Sequence, residues 1–153
     1  MSHHVHPAGP AGTISLAAAQ AGVAAGVRAA GDRGVAVVVA VAAASGDPIA
    51  LARMDGVPPL AAESALRKCR TVALTWRSTE SFAAALKGDL ETEPEFFHGM
   101  HHVGPLMTIG GGVPVVMGGA MAGAVAVSGA STEDDIALAG IAAAAIVAAA
   151  GGR

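Results

Sequence analysis

From Leu16 onward, apolar residues recur on one helical face at Leu16, Ala19, Val23 and Val27. That spacing predicts an amphipathic helix over residues 15–30, with Ser15 as its N-cap and the turn Gly31-Asp32-Arg33-Gly34 as its end. Residues 35–41 then form a β-branched run without helical stepping, which reads as a strand buried on both faces. After the turn at 43–48, residues 49–54 read as a second strand, close enough in sequence to pair antiparallel with the first. A helix follows over 60–76, opened by Pro59 and carrying a narrow stripe of small residues at Ala61, Ala65, Cys69 and Ala73. Ser78 caps a shorter helix to about Lys87, closed by Gly88-Asp89. Residues 89–105 show no clear period. Residues 106–109, 113–117 and 120–128 read as three more strands, joined by hairpin turns at Gly110-Gly111-Gly112 and Gly118-Gly119. Thr132 reads as the N-cap of a final Ala-rich helix to about residue 150, with Glu133, Asp134 and Asp135 in its positive first turn.

This order predicts an α+β fold with a five-stranded antiparallel sheet flanked by helices. No strand–helix alternation persists that would suit a doubly wound fold. The domain is expected over residues 13–153. A flexible arm over 1–12 precedes it and carries His3, His4 and His6, read as a tail rather than a metal site.

Composition narrows the function. The chain has 153 residues, of which 53% are hydrophobic and 14% charged, with 21 Gly, three Phe, one Trp and no Tyr. Few aromatics and a net charge of −3 argue against a nucleic-acid binder, which wants stacking rings on a basic groove. So little charge leaves apolar surface better buried between subunits, and a homo-oligomer is expected. A single cysteine forbids an intrachain disulfide and a multi-cysteine metal site. The start lacks the cationic and apolar segments of a signal peptide, and the last helix is too Ala-rich to span a bilayer convincingly. The expectation is a soluble, cytoplasmic protein.

The sharpest chemical cluster is His98-Gly99-Met100-His101-His102. Its imidazoles could serve one iron or zinc ion, or form a polar loop over a pocket mouth. Phe96 and Phe97 adjoin it, either as an apolar wall for a flat ligand or as anchors of the loop. Arg53 and Asp55 stand where a strand runs into a loop, a common position for a site, although Asp55 could merely cap its turn. Lys68 could face the same region and meet a carboxylate ligand. Cys69 reads as a core thiol, and Glu91, Glu93 and Glu95 as a solvated acidic loop. The glycine runs precede strands rather than helices, so they are not phosphate cradles.

The succession Arg53-Met54-Asp55-Gly56, a helix bearing Lys68, Gly111-Gly112-Val113-Pro114, Val127-Ser128-Gly129 and Asp134 or Asp135 opening the last helix resembles the GlcG/HbpS-like haem-binding family. That family is also met as the C-terminal domain of PduO-type proteins. The likeness covers roughly residues 13–150. It implies a profilin-like fold, assembly into dimers to octamers, and binding of haem or a related tetrapyrrole, with links to haem degradation. Two positions depart from the family pattern: the turn Ala43-Ala44-Ser45-Gly46 lacks the usual carboxylate, and Cys69 stands where Ala is usual.

The leading expectation is a haem- or tetrapyrrole-binding protein. His98, His101 or His102 would be its axial ligand, Phe96 and Phe97 its apolar wall, and Arg53 and Lys68 its propionate partners. The alternative is a haem-free enzyme of small-molecule metabolism in the same pocket, with His101 as general acid–base and Asp55 orienting it. A scaffold subunit without ligand is a third reading.

Overall fold

A computed structural model describes residues 12–151. In chain order it has helix α1 (Leu16–Asp32), strands β1 (Val38–Ala43) and β2 (Pro48–Arg53), and helices α2 (Pro59–Thr75), α3 (Thr79–Thr92) and α4 (Pro94–Gly99). A 3-10 turn at Met100–His102, strands β3 (Gly112–Met117) and β4 (Ala120–Ser128), and helix α5 (Thr132–Gly151) complete it. All but the last residue of the expected N-terminal arm lies outside the described residues.

The class is α+β, but the sheet has four strands, in the order β2-β1-β4-β3, every pair antiparallel. The fifth expected strand, 106–109, forms no strand and does not join the sheet. Its Met107 N–H donates to Thr71 Oγ1 of α2 at 2.8 Å, so a side chain takes the place of a ladder partner. A short apolar segment looks the same in sequence whether its backbone is paired by a strand or by a helix side chain. Without that strand, Gly110-Gly111-Gly112 is no hairpin turn. Gly118-Gly119 is one, both residues having positive φ between β3 and β4, as a two-residue hairpin turn requires.

Strict alternation along the two central strands builds two cores. Val37, Val39, Val41, Val125 and Val127 face α1 and α5, where they meet Leu138, Ala142 and Ile146. Val38, Ala40, Ala42, Ala124 and Ala126 face α2 and pack on Ala61, Ala65, Cys69 and Val72. The small-residue stripe thus meets a face of mostly alanine. The glycines of α1 do the same on the other face. A Cβ at Gly26 would stand 3.0 Å from Val39 and 3.5 Å from the Ala142 methyl. Leu16, expected on the buried face of α1, is exposed, and Ala18, Gly22 and Gly26 replace it. Helix–helix contact selected the smallest residues, not the most apolar.

Where no period was legible, the chain is helical. α3 runs on through Gly88 and Asp89 to Thr92, and the Glu93 N–H still donates to Asp89 O. Pro94, which has no N–H to give, starts α4 instead. At the other end, Ser131 rather than Thr132 caps α5, its Oγ accepting from Asp134 N at 3.1 Å. Asp134 also pairs with Arg33 at 2.7 Å, tying the end of α1 to the start of α5. The Arg33 and Ser131 hydrogen bonds hold the Asp134 carboxyl below its usual range.

Candidate functional site

The elements open two cavities on either side of the segment 106–109. Leu106 and Thr108 line one, Met107 and Ile109 the other, as period-two alternation dictates.

The larger is an open cleft of about 810 Å³ between α3 and the segment from α4 to Thr108. Phe82 and Leu86, one turn apart on α3, form its buried floor, and Leu90, Phe97 and Leu106 add apolar walls. Among the described residues, two titratable side chains line it, the His101 imidazole and the Lys87 ammonium, both exposed. Phe97 stands edge-on to two imidazoles, with its ring 5.4 Å from His98 and 5.7 Å from His101.

The smaller cavity, about 360 Å³, lies beneath the N-terminus of α5. Lys68 from α2 and Asp135 from α5 line it and are only 1% and 3% exposed. Lys68 Nζ donates to Asp135 Oδ2 at 3.2 Å and to Val127 O at 2.8 Å. Asp135 Oδ1 accepts from Ala130 N at 3.1 Å. Burial disfavours both charges. It lowers the Lys68 ammonium from its ordinary range despite the opposing pull of Asp135, and it raises the Asp135 carboxyl against Lys68 and the loop amides.

Of the expected site residues, Phe97 and His101 come together in the larger cleft. Phe96 is half exposed and lines neither cavity, and neither do His98 and His102. Among the described residues no three His, Cys, Asp or Glu side chains are placed to hold a metal ion. The expected metal set of His98, His101 and His102 is therefore not assembled, and the Phe97 ring stands against two of the three imidazoles. Arg53 is exposed at the end of edge strand β2, and Asp55 is exposed in the following turn. Neither lines a cavity, so Asp55 and His101 share no site. Lys68 faces the other cavity, its charge engaged by Asp135.

One charged residue of the cleft was not foreseen from the sequence. Lys87 falls on the face of Ala83 and Leu90, visible only if the helix is carried past Gly88. The burial of Lys68 has a clearer signal. Ala61, Ala65, Lys68 and Val72 are spaced i, i+4, i+7 and i+11, which puts a lysine on the buried stripe and calls for an acidic partner.

Cys69, next to that lysine, is fully buried, with its thiol at 3.5 Å from Ala40 O. Burial pushes its pKa up from 9.0 to about 12, against the pull of Lys68. Between those values the unfolded thiol ionises while the folded one keeps its proton, so stability falls as pH rises. The cost approaches about 1.4 kcal/mol per pH unit. Cys69→Ala should therefore lose about 2 kcal/mol less than the wild type between about pH 8 and pH 10.5, measured by urea unfolding. Parallel losses in the two proteins would refute this.

A family model described as haem degrading protein HbpS-like matches residues 14–145. Protein GlcG of Escherichia coli K12 is 36% identical over 116 residues, 75% of this chain and 81% of GlcG. The crystal structure of HbpS superposes with a TM-score of 0.75 at 30% identity, covering 88% of this chain and 90% of that one. A PduOC:haem complex superposes with a TM-score of 0.74 at 26% identity, covering 87% and 94% respectively.

Proposed function

The chain belongs to the HbpS-like family, and on that premise we propose that it binds haem or a related tetrapyrrole in the larger cleft, with His101 as the axial group. One observation carries the reading: of the three described histidines, only His101 lines the large apolar cleft. Its volume of about 810 Å³ lies within the ~300–1,000 Å³ typical of cofactor pockets. Phe82, Leu86 and Phe97 suit the faces of a flat apolar ring. Lys87, the one lysine or arginine lining the cleft among the described residues, suits a propionate, a role the sequence had suggested for Arg53 or Lys68. The edge-on contact with Phe97 holds the His101 ring, and the exposed imidazole is free to offer a nitrogen. Bound haem would supply an iron centre whose reactivity its axial group tunes.

Assembly into a homo-oligomer, between dimer and octamer, belongs to the same reading. Exposed Leu16, Leu60 and Leu74, and Ile141 and Val147 on the outer face of α5, support it. A cytoplasmic location also belongs to this reading, and a lone unpaired thiol is compatible with it.

A haemin titration followed at the Soret band tests the assignment. The wild type should saturate, and His101→Ala should bind at least about tenfold more weakly, a loss of ~1.4 kcal/mol. The double variant His98→Ala/His102→Ala should bind as the wild type does. Loss in the double variant with retention in His101→Ala would overturn the assignment.

A further inference from the structure

The Lys68–Asp135 cavity takes no part in that reading, and its chemistry is specific. An ammonium has three N–H donors, and two of those on Lys68 are engaged, by Val127 O and Asp135. Lys68 therefore has one donor left for a guest oxygen. The hydroxyl residues Ser64, Ser128 and Thr132 share the lining with apolar Leu60 and Ile109. An anionic guest is disfavoured. The lysine's charge is already matched by Asp135, and Glu133 adds a further carboxylate to the same first turn of α5. A cationic guest meets the lysine itself. What remains is an uncharged molecule with an acceptor oxygen and a short apolar body.

We propose that this cavity is a second site, for a small uncharged aldehyde or ketone, at which Lys68 forms a reversible imine and Asp135 relays the protons. Lys68 first passes a proton to Asp135, and the freed amine attacks the carbonyl carbon. As the N–C bond forms, the carbonyl π pair moves to oxygen, which takes the proton held on Asp135. Asp135 then removes a proton from nitrogen and returns it to the hydroxyl, which leaves as water. The product is a protonated imine beside a carboxylate, so atoms and charge balance and no redox partner is needed. The opposed effects of burial on the two groups bring the first proton transfer closer to balance, and a desolvated lysine is the usual imine former.

The chain carries its own control, because Lys87 is its only other lysine and is exposed. The full chain is treated at neutral pH with butanal and sodium cyanoborohydride, which reduces an imine to a stable secondary amine. Peptide mass spectrometry then reads the butyl adduct at each lysine, while circular dichroism verifies the native fold. Lys68 should be labelled at least about tenfold faster than Lys87, following the larger neutral-amine fraction of a lysine whose pKa is lowered. Labelling of Lys68 at or below the Lys87 rate would overturn the proposal. Glyoxylate, a charged aldehyde, should label Lys68 more slowly than butanal does, and equal labelling would overturn the uncharged class. In Asp135→Asn the Lys68 rate should fall while the Lys87 rate stays unchanged. An unchanged Lys68 rate there would remove Asp135 from the mechanism.

Discussion

Asp135→Ala is expected to lower the unfolding free energy by about 3–5 kcal/mol, because it leaves the Lys68 charge buried without its partner. For a chain of 153 residues that corresponds to a fall of roughly 10 °C in Tm. The reason is geometric as well as electrostatic. Asp135 also accepts from Ala130 N, so its loss frees the loop that turns β4 into α5. Removing both charges should behave differently. Lys68→Met/Asp135→Leu fills similar volume with apolar groups and should regain most of the loss, since a buried pair is held against the desolvation of both members. Urea unfolding of the two variants decides the matter. A cost below about 1 kcal/mol for Asp135→Ala would mean that water reaches Lys68 in the folded state.

Gly111→Ala is expected to cost about 3 kcal/mol or more, through two separable effects. The residue sits at φ +117°, a region closed to ordinary side chains at a cost of ~1–3 kcal/mol. A Cβ there would also lie 2.7 Å from Val127 O and 2.9 Å from Lys68 Nζ. These atoms form one of the two hydrogen bonds of the buried ammonium, so the methyl cannot be accommodated without displacing the ion pair. Gly119→Ala is the control. It has φ +77° but nothing within 4 Å of its Cβ, so it should lose only the backbone share, about 1 kcal/mol. Equal losses at the two positions would show that Gly111 is needed for its dihedral alone.

Gly111 also marks the limit of reading by local pattern. Three glycines before a strand read as a hairpin turn because turns are where glycine runs most often serve. Their use here depends on α2 and α5, which lie far from them in sequence and press on them from both sides. The strand expected over 106–109 went the same way. Its four residues line two cavities by turns, with the backbone held by Thr71. The helical stretch through Lys87 and on to His101 was hidden for another reason. Gly88, Asp89 and the histidines weaken any apolar period, and the two helices meet at Pro94 without the usual loop.

Local chemistry alone determined the helices with clear caps, the two central strands, the Gly118-Gly119 hairpin and the antiparallel pairing of β1 with β2, because each depends on residues a few positions apart. The small-residue stripe on α2 announced a close helix–sheet contact for the same reason. Tertiary structure alone decided which chemistry-bearing side chains meet. Lys68 and Asp135 stand 67 residues apart in sequence, and Lys87 and His101 line one cleft that exists only once α3 and α4 are in place. Periodicity tells which face of an element is buried, but not which other element buries it. A site made of side chains from different elements is therefore readable only after the sheet has set their places.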